Sequence, residues 1–200
     1  MKVVYSDLKN KRVFISGGGS GIGATIVEHF CEQKSEVYFI DIDLKSSKKL
    51  IKKIKKKGYR VPKFIECNIL DVKKLQNIIK DIISKKGAIH CLINSAANDD
   101  RHTTEQVDEK YWENRMGINL KHYFFAAQAV VKGMKKIKSG SIVNLSSVSW
   151  MLGEGDKVVY ETAKSAVVGL TRSFAQEFGK YNIRTNSVIP GSIATERQIK

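Results

Sequence analysis

Proline is almost missing from this chain: Pro62 and Pro190 are the only two among 200 residues, and both stand at turn-like positions between elements. Cysteine is scarce as well. Cys31, Cys67 and Cys91 are an odd count without a C-x-x-C pair, which excludes a disulfide scaffold and a structural zinc site and points to reduced thiols in a cytoplasmic setting. No apolar run approaches the roughly 18 residues of a membrane span. The first ten residues lack the apolar core and small-residue cleavage site of a signal peptide, so neither membrane nor export is expected. Acidic residues are the last shortage: 20 against 35 basic ones, a net charge of +15.

That charge invites a nucleic-acid reading, which its distribution opposes. Lys45, Lys48, Lys49, Lys52, Lys53, Lys55, Lys56 and Lys57 crowd one segment, where Leu44, Leu50, Ile51 and Ile54 recur at helical spacing. The lysines are then the wet faces of an amphipathic helix. No aromatic residues interleave with them to stack bases, and lysine far outnumbers arginine, the better base reader. No nucleic-acid partner is expected.

What is present is alternation. With 42% hydrophobic and 28% charged residues, the composition is that of an ordinary globular protein. Short β-branched runs over 12–16, 36–41, 63–67, 89–94, 141–145 and 184–188 read as strands. Between them, 22–33, 44–57, 72–86, 108–135 and 158–180 read as helices. This order builds a doubly wound parallel sheet between two helical layers, a Rossmann-like α/β fold. No repeat, linker or boundary divides residues 1–200, so one dinucleotide-binding catalytic domain is expected.

The first predicted strand runs into Ser16-Gly17-Gly18-Gly19-Ser20-Gly21-Ile22-Gly23 and then a helix. Glycines serve a tight turn, close approach to a pyrophosphate and close helix packing, while the helix start offers free N–H groups to an anion. Asp41 ends the second predicted strand 20 residues beyond Gly21, the spacing at which a carboxylate reaches the adenosine ribose. It accepts from the 2′-hydroxyl of NAD and repels the 2′-phosphate of NADP, so NAD is the expected cofactor. Further along, Tyr160 and Lys164 are four apart and share a helix face, with Ser147 lying 13 residues upstream in a loop after the fifth predicted strand. A free tyrosine with a pKa of about 10 is a poor base at neutral pH, and an adjacent ammonium favours its phenolate.

The glycine turn, Asn119 within Gly117-Ile118-Asn119-Leu120, the run Ser141-Ile142-Val143-Asn144-Leu145-Ser146-Ser147, the Tyr160-x-x-x-Lys164 pair and Pro190-Gly191 together resemble the single-domain branch of the short-chain dehydrogenase/reductase family. The resemblance covers nearly the whole chain. It implies a tetrad: Tyr160 as catalytic acid/base, Ser147 on the substrate oxygen, Lys164 on the nicotinamide ribose, and Asn119 positioning a water. It also implies a cofactor site. Gly17, Ser20, Gly21, Ile22 and Gly23 would take the pyrophosphate, Asp41 the ribose, and Asn68 and Ile69 the adenine, with Asn94, Tyr160, Lys164, Pro190, Ile193 and Thr195 towards the nicotinamide. No metal is implied.

A narrower set, Asn98-Asp99-Asp100-Arg101-His102, Tyr111-Trp112, Gly133-Met134-Lys135-Lys136, Ser149-Trp150 and Tyr160-Glu161-Thr162-Ala163-Lys164, resembles bacterial NAD-dependent aldose 1-dehydrogenases of the D-xylose and L-arabinose type. It implies a sugar as the small-molecule substrate, oxidised at its anomeric carbon. Asp99, Asp100, Arg101, His102 and Glu154 are candidates to read its hydroxyls, or else form a loop held by its own ion pairs and helix caps. Trp150 is expected to wall the pocket. The same tetrad would equally serve a 3-oxoacyl carrier-protein reductase, and a chain without turnover would be a dinucleotide-binding fragment.

The chain also departs from the family pattern. Asn94-Ser95-Ala96-Ala97 replaces Asn-Asn-Ala-Gly, setting Ala97 where glycine offers positive φ. The chain ends at Lys200, soon after Pro190-Gly191, whereas relatives continue to a seventh strand and an oligomer contact. A C-terminally shortened domain is therefore expected, its last strand missing and its sixth an exposed edge, with a homo-oligomer expected of the full-length form.

Overall fold

The computed structural model describes residues 3–195, so Lys200 lies outside them. Six parallel strands, β1 (Arg12–Ser16), β2 (Glu36–Asp41), β3 (Lys63–Glu66), β4 (Cys91–Asn94), β5 (Gly140–Leu145) and β6 (Ile183–Val188), form one sheet in the order β3-β2-β1-β4-β5-β6. The helices are α1 (Gly21–Glu32), α2 (Leu44–Lys56), α3 (Val72–Lys86), α4 (Glu109–Met116), α5 (His122–Ile137), α6 (Ser149–Leu152) and α7 (Val158–Phe178). The strand order reverses between β1 and β4, and open sheets bind ligands beyond the carboxyl ends of the strands at such a point. The expected fold class is what the chain adopts.

Alternation along the strands feeds two cores. Val13, Ile15, Val37 and Phe39 point to one face and pack with Val27 and Cys31 of α1 and Leu50 and Ile54 of α2. Phe14, Tyr38, Ile40, Leu92 and Ile142 point to the other, against α3, α5 and α7 through residues such as Ile79, Val130 and Phe174. Both faces are covered, which is why the strands read as continuous apolar runs. All eight lysines of the basic segment are exposed, and Lys53 and Lys57 reach across to Glu28 of α1. Cys31 and Cys67 are buried and Cys91 is partly so, none in a disulfide.

Two differences from the sequence reading matter for the site. The expected helix over 108–135 is broken by a π-turn, Gly117–Lys121, between α4 and α5. Such turns insert a residue into the helical ladder, and a single five-residue turn is too short for an apolar period to locate it. Ala97 has no positive φ, so replacing glycine there leaves the backbone unstrained. Among the described residues β6 pairs on one side only, with β5.

Two glycines of the first turn are required by geometry. Gly17 turns at φ +69°, and a β-carbon there would lie 2.6 Å from the Ala96 backbone. A β-carbon at Gly23 would run into the Gly17 carbonyl, because α1 starts in direct contact with the turn. Gly23→Ala should therefore destabilise the fold by about 1–3 kcal/mol. A lowered Tm in thermal unfolding is the check.

Candidate active site

A cavity of about 530 Å³ opens at the switch point. The carboxyl ends of the strands line it: Gly17 after β1, Asp41 of β2, Asn68 after β3, Ser95, Ala96 and Ala97 after β4, Leu145 of β5 with Ser146 and Ser147 after it, and Pro190 after β6. Tyr160 and Lys164 of α7 enter from the side. Ser20, Gly21, Ile22, Gly23, Ile69, Ile193 and Thr195 line it as well. Fourteen of the sixteen tetrad and cofactor positions singled out in the sequence thus line one cavity.

At one end the chain is built to receive an anion. The N-terminal N–H groups of α2, α3 and α4 are capped by Asp43, Asp71 and Asp108, whose carboxylates accept from Ser46, Lys74 and Tyr111. Ser20, at the start of α1, makes no side-chain cap, so its first amides face the cavity with the glycine turn. Asp41 accepts from the Gly19 N–H (2.8 Å) and the Asp43 N–H (2.9 Å), which aims its carboxylate at the cavity rim. A turn with no room for β-carbons, an uncapped helix start and a carboxylate one strand away fit a dinucleotide.

At the other end, α7 is docked by polar side chains at the end of β5 and just after it. The Ser146 hydroxyl donates to the Lys164 carbonyl (2.7 Å), and Asn144 donates to Thr171 Oγ1 (3.0 Å), which donates to the Val167 carbonyl. The Lys164 ammonium, 1% exposed, donates to the Leu145 carbonyl (2.7 Å) and to the Tyr123 hydroxyl (2.9 Å), which itself donates to Leu145 (2.9 Å). Its nitrogen lies 5.6 Å from the centre of the Tyr160 ring. The Ser147 hydroxyl lies 3.0 Å from that of Ser149 and accepts from the Ser149 N–H (3.2 Å). Tyr123 was not singled out in the sequence. It belongs to a run, His122 to Phe125, that reads as an apolar helix face, and nothing local marks its hydroxyl as the partner of a lysine 41 residues away.

Two expected site residues sit elsewhere. Asn94 is fully buried and donates to Asn144 (2.9 Å), joining the interior network that seats α7. Asn119, in the π-turn, spends both ends of its amide on Asn98, accepting from its N–H (2.8 Å) and donating to its carbonyl (2.9 Å). Neither lines the cavity, and both instead hold what does. The 98–102 loop divides similarly. Asn98 and Asp99 line the cavity, whereas Asp100 pairs with Arg115, Arg101 with Asp156, and His102 is buried against α7. Glu154 lines the cavity with Lys157, the two paired at 2.5 Å. Trp150 is absent from the lining, because the first turn of α6 faces the cavity with Ser149 and turns the next residue away.

A crevice at the switch point of a doubly wound sheet, with a tyrosine and a buried lysine one turn apart, defines a nucleotide-dependent oxidoreductase. The sequence model of the short chain dehydrogenase family matches residues 11–200, and the chain belongs to that family, whose enzymes use nicotinamide cofactors and act on CH–OH groups. It is 40% identical over 194 residues to a probable galactose dehydrogenase of Rhizobium meliloti, covering 97% of this chain and 76% of the relative. It is 41% identical over 198 residues to the D-xylose 1-dehydrogenase of Caulobacter vibrioides, covering 98% and 77%. Among solved structures, the aldohexose dehydrogenase of Thermoplasma acidophilum superposes with a TM-score of 0.84 at 29% identity, covering 96% of this chain and 70% of that one.

Burial lowers the Lys164 pKa from 10.5 to about 7, against an opposing pull from Asp99. His122, fully buried beside it, is pushed down to about 3 by burial and by the Lys164 charge, and stays neutral. The unfolded chain keeps the Lys164 amine protonated up to its ordinary pKa of 10.5. Between about 7 and 10.5 the unfolded state therefore binds the extra proton, and this group's contribution to stability rises with pH. Below about 7 its full burial penalty remains. In urea unfolding, the stability of wild type relative to Lys164→Met should increase as pH is raised across that window.

Proposed function

We propose that this chain is an NAD-dependent aldose 1-dehydrogenase that oxidises the anomeric carbon of a neutral sugar to a lactone. The observation that carries the reading is the meeting, in one cavity, of Ser147, Tyr160 and Lys164 with the polar side chains of Asp99, Glu154 and Lys157. A sugar needs several hydrogen-bonding side chains on its hydroxyls, and sites that pair such groups reject analogues lacking them. The similarity to galactose and D-xylose dehydrogenases supports the same substrate class.

The dinucleotide, when bound, supplies the hydride acceptor. Gly17, Ser20, Gly21, Ile22 and Gly23 hold its pyrophosphate on the start of α1, Asp41 takes the ribose hydroxyls, and Asn68 and Ile69 flank the adenine. Pro190, Ile193 and Thr195 border the nicotinamide end, next to Tyr160 and Lys164. The Ser147 hydroxyl donates to the anomeric hydroxyl oxygen, and the Tyr160 phenolate removes its proton as the carbonyl forms. The Lys164 ammonium favours that phenolate and binds the nicotinamide ribose. Asn119 and Asn94 act by positioning. Three free thiols, two of them buried, support a cytoplasmic location, and a homo-oligomer is proposed.

Reduction of NAD followed by absorbance across a panel of aldoses and hydroxyacyl thioesters tests the reading. Turnover should be confined to aldoses, and turnover of thioesters alone would transfer the assignment to an oxoacyl reductase. Tyr160→Phe should lower kcat by about 10²–10⁴-fold with NAD binding kept. Asp41→Asn removes the charge that repels a 2′-phosphate, so the ratio of NADP to NAD efficiency should rise on the order of tenfold or more.

A further inference from the structure

The helix that carries Tyr160 and Lys164 does not cap itself. At its N-terminal flank, the Lys157 side chain makes no cap hydrogen bond and pairs instead with Glu154. The second amide of α7, that of Val159, is buried, and its N–H donates to Nε2 of His102 at 3.3 Å. A residue 57 positions upstream thus satisfies an orphan donor at the start of the helix, directly before Tyr160.

An N–H can only donate, so Nε2 must be the unprotonated ring nitrogen and Nδ1 must carry the hydrogen. Nδ1 lies 3.1 Å from the Asp100 carbonyl and 2.9 Å from the Tyr111 hydroxyl, which accept it. The tautomer follows from these partners. The His102 main chain adds a second tie, its N–H donating to the Asp156 carbonyl (2.8 Å). The other end of the loop is fastened to the π-turn by the two Asn119–Asn98 hydrogen bonds and to α4 by Asp100–Arg115. With His102 only 6% exposed, the loop spans from the π-turn to the catalytic helix as a fixed strut.

We propose that His102 is a positioning residue for the catalytic tyrosine: as a neutral Nδ1–H imidazole it caps α7 from outside the helix and sets the height of Tyr160 over the cavity. It touches no reacting atom. The inference rests on Tyr160 being the acid/base, and it goes beyond that assignment by saying what orients it.

The test compares His102→Phe, which keeps the ring bulk and loses the acceptor, with His102→Gln, whose amide oxygen reaches about as far as Nε2. In the wild-type chain, ¹⁵N spectra of the histidine rings should show His102 protonated at Nδ1 and not at Nε2. His102→Phe should speed hydrogen exchange of the Val159 amide and lower kcat about tenfold, with NAD affinity and sugar KM within about twofold. His102→Gln should restore both the exchange protection and kcat. An Nε2–H ring in the wild type overturns the proposal without any variant, even if His102→Phe fails to fold. Unchanged exchange and kcat in His102→Phe, or a glutamine no better than phenylalanine, overturns it as well. If no aldose is turned over, the functional reading fails on its own, while tautomer and amide exchange still decide whether the cap exists.

Discussion

Lys164 carries an ammonium to a point where 1% of the residue meets solvent, and the centre of the domain is arranged to keep it there. Desolvation is the main force on that charge, and hydrogen bonds to the Leu145 carbonyl and the Tyr123 hydroxyl hold it in place. Both acceptors exist only if α7 lies in one register on β5, and the Asn144 and Ser146 contacts to α7 set that register. Tyr160, one turn earlier on the same helix, inherits its place from the lysine. Removing a hydrogen bond of this seat therefore disturbs the Tyr160 side of the cavity as well as destabilising the core.

The two asparagines that do not reach the cavity belong to the same arrangement. Asn94 extends the β5 network across to β4, and Asn119 turns the π-turn into a clamp on Asn98. Beside them the Ser16 hydroxyl accepts from the amides of Ser95 and Ala96. The loop after β4 is thereby held at several points, and a serine and an alanine in place of the family's usual amide and glycine are accommodated without positive φ. Buried polar networks of this kind specify geometry when nearly every member is satisfied.

Charge is distributed by the same economy. The excess of lysine lies on the outer faces of helices, away from the cavity, whose rim instead carries Asp41, Asp43, Asp99 and Glu154 with Lys157. The basic surface thus says little about what the cavity takes in.

By itself the sequence determined the layered sheet, the glycine turn with its acidic partner, and the Ser147–Tyr160–Lys164 set. Those depend on periods of two and 3.6 and on short spacings, which the local chain expresses directly. It did not determine the π-turn, the Tyr123 anchor or the division of the 98–102 loop into cavity lining and strut. A π-turn of five residues is too short for an apolar period to locate, and a hydroxyl facing a lysine 41 residues away has no local spacing to betray it. Which partners Asn119 and His102 take, Asn98 for one and Val159 with Asp100 and Tyr111 for the other, was decided by tertiary structure alone, because only folding brings such distant groups within about 3 Å of each other.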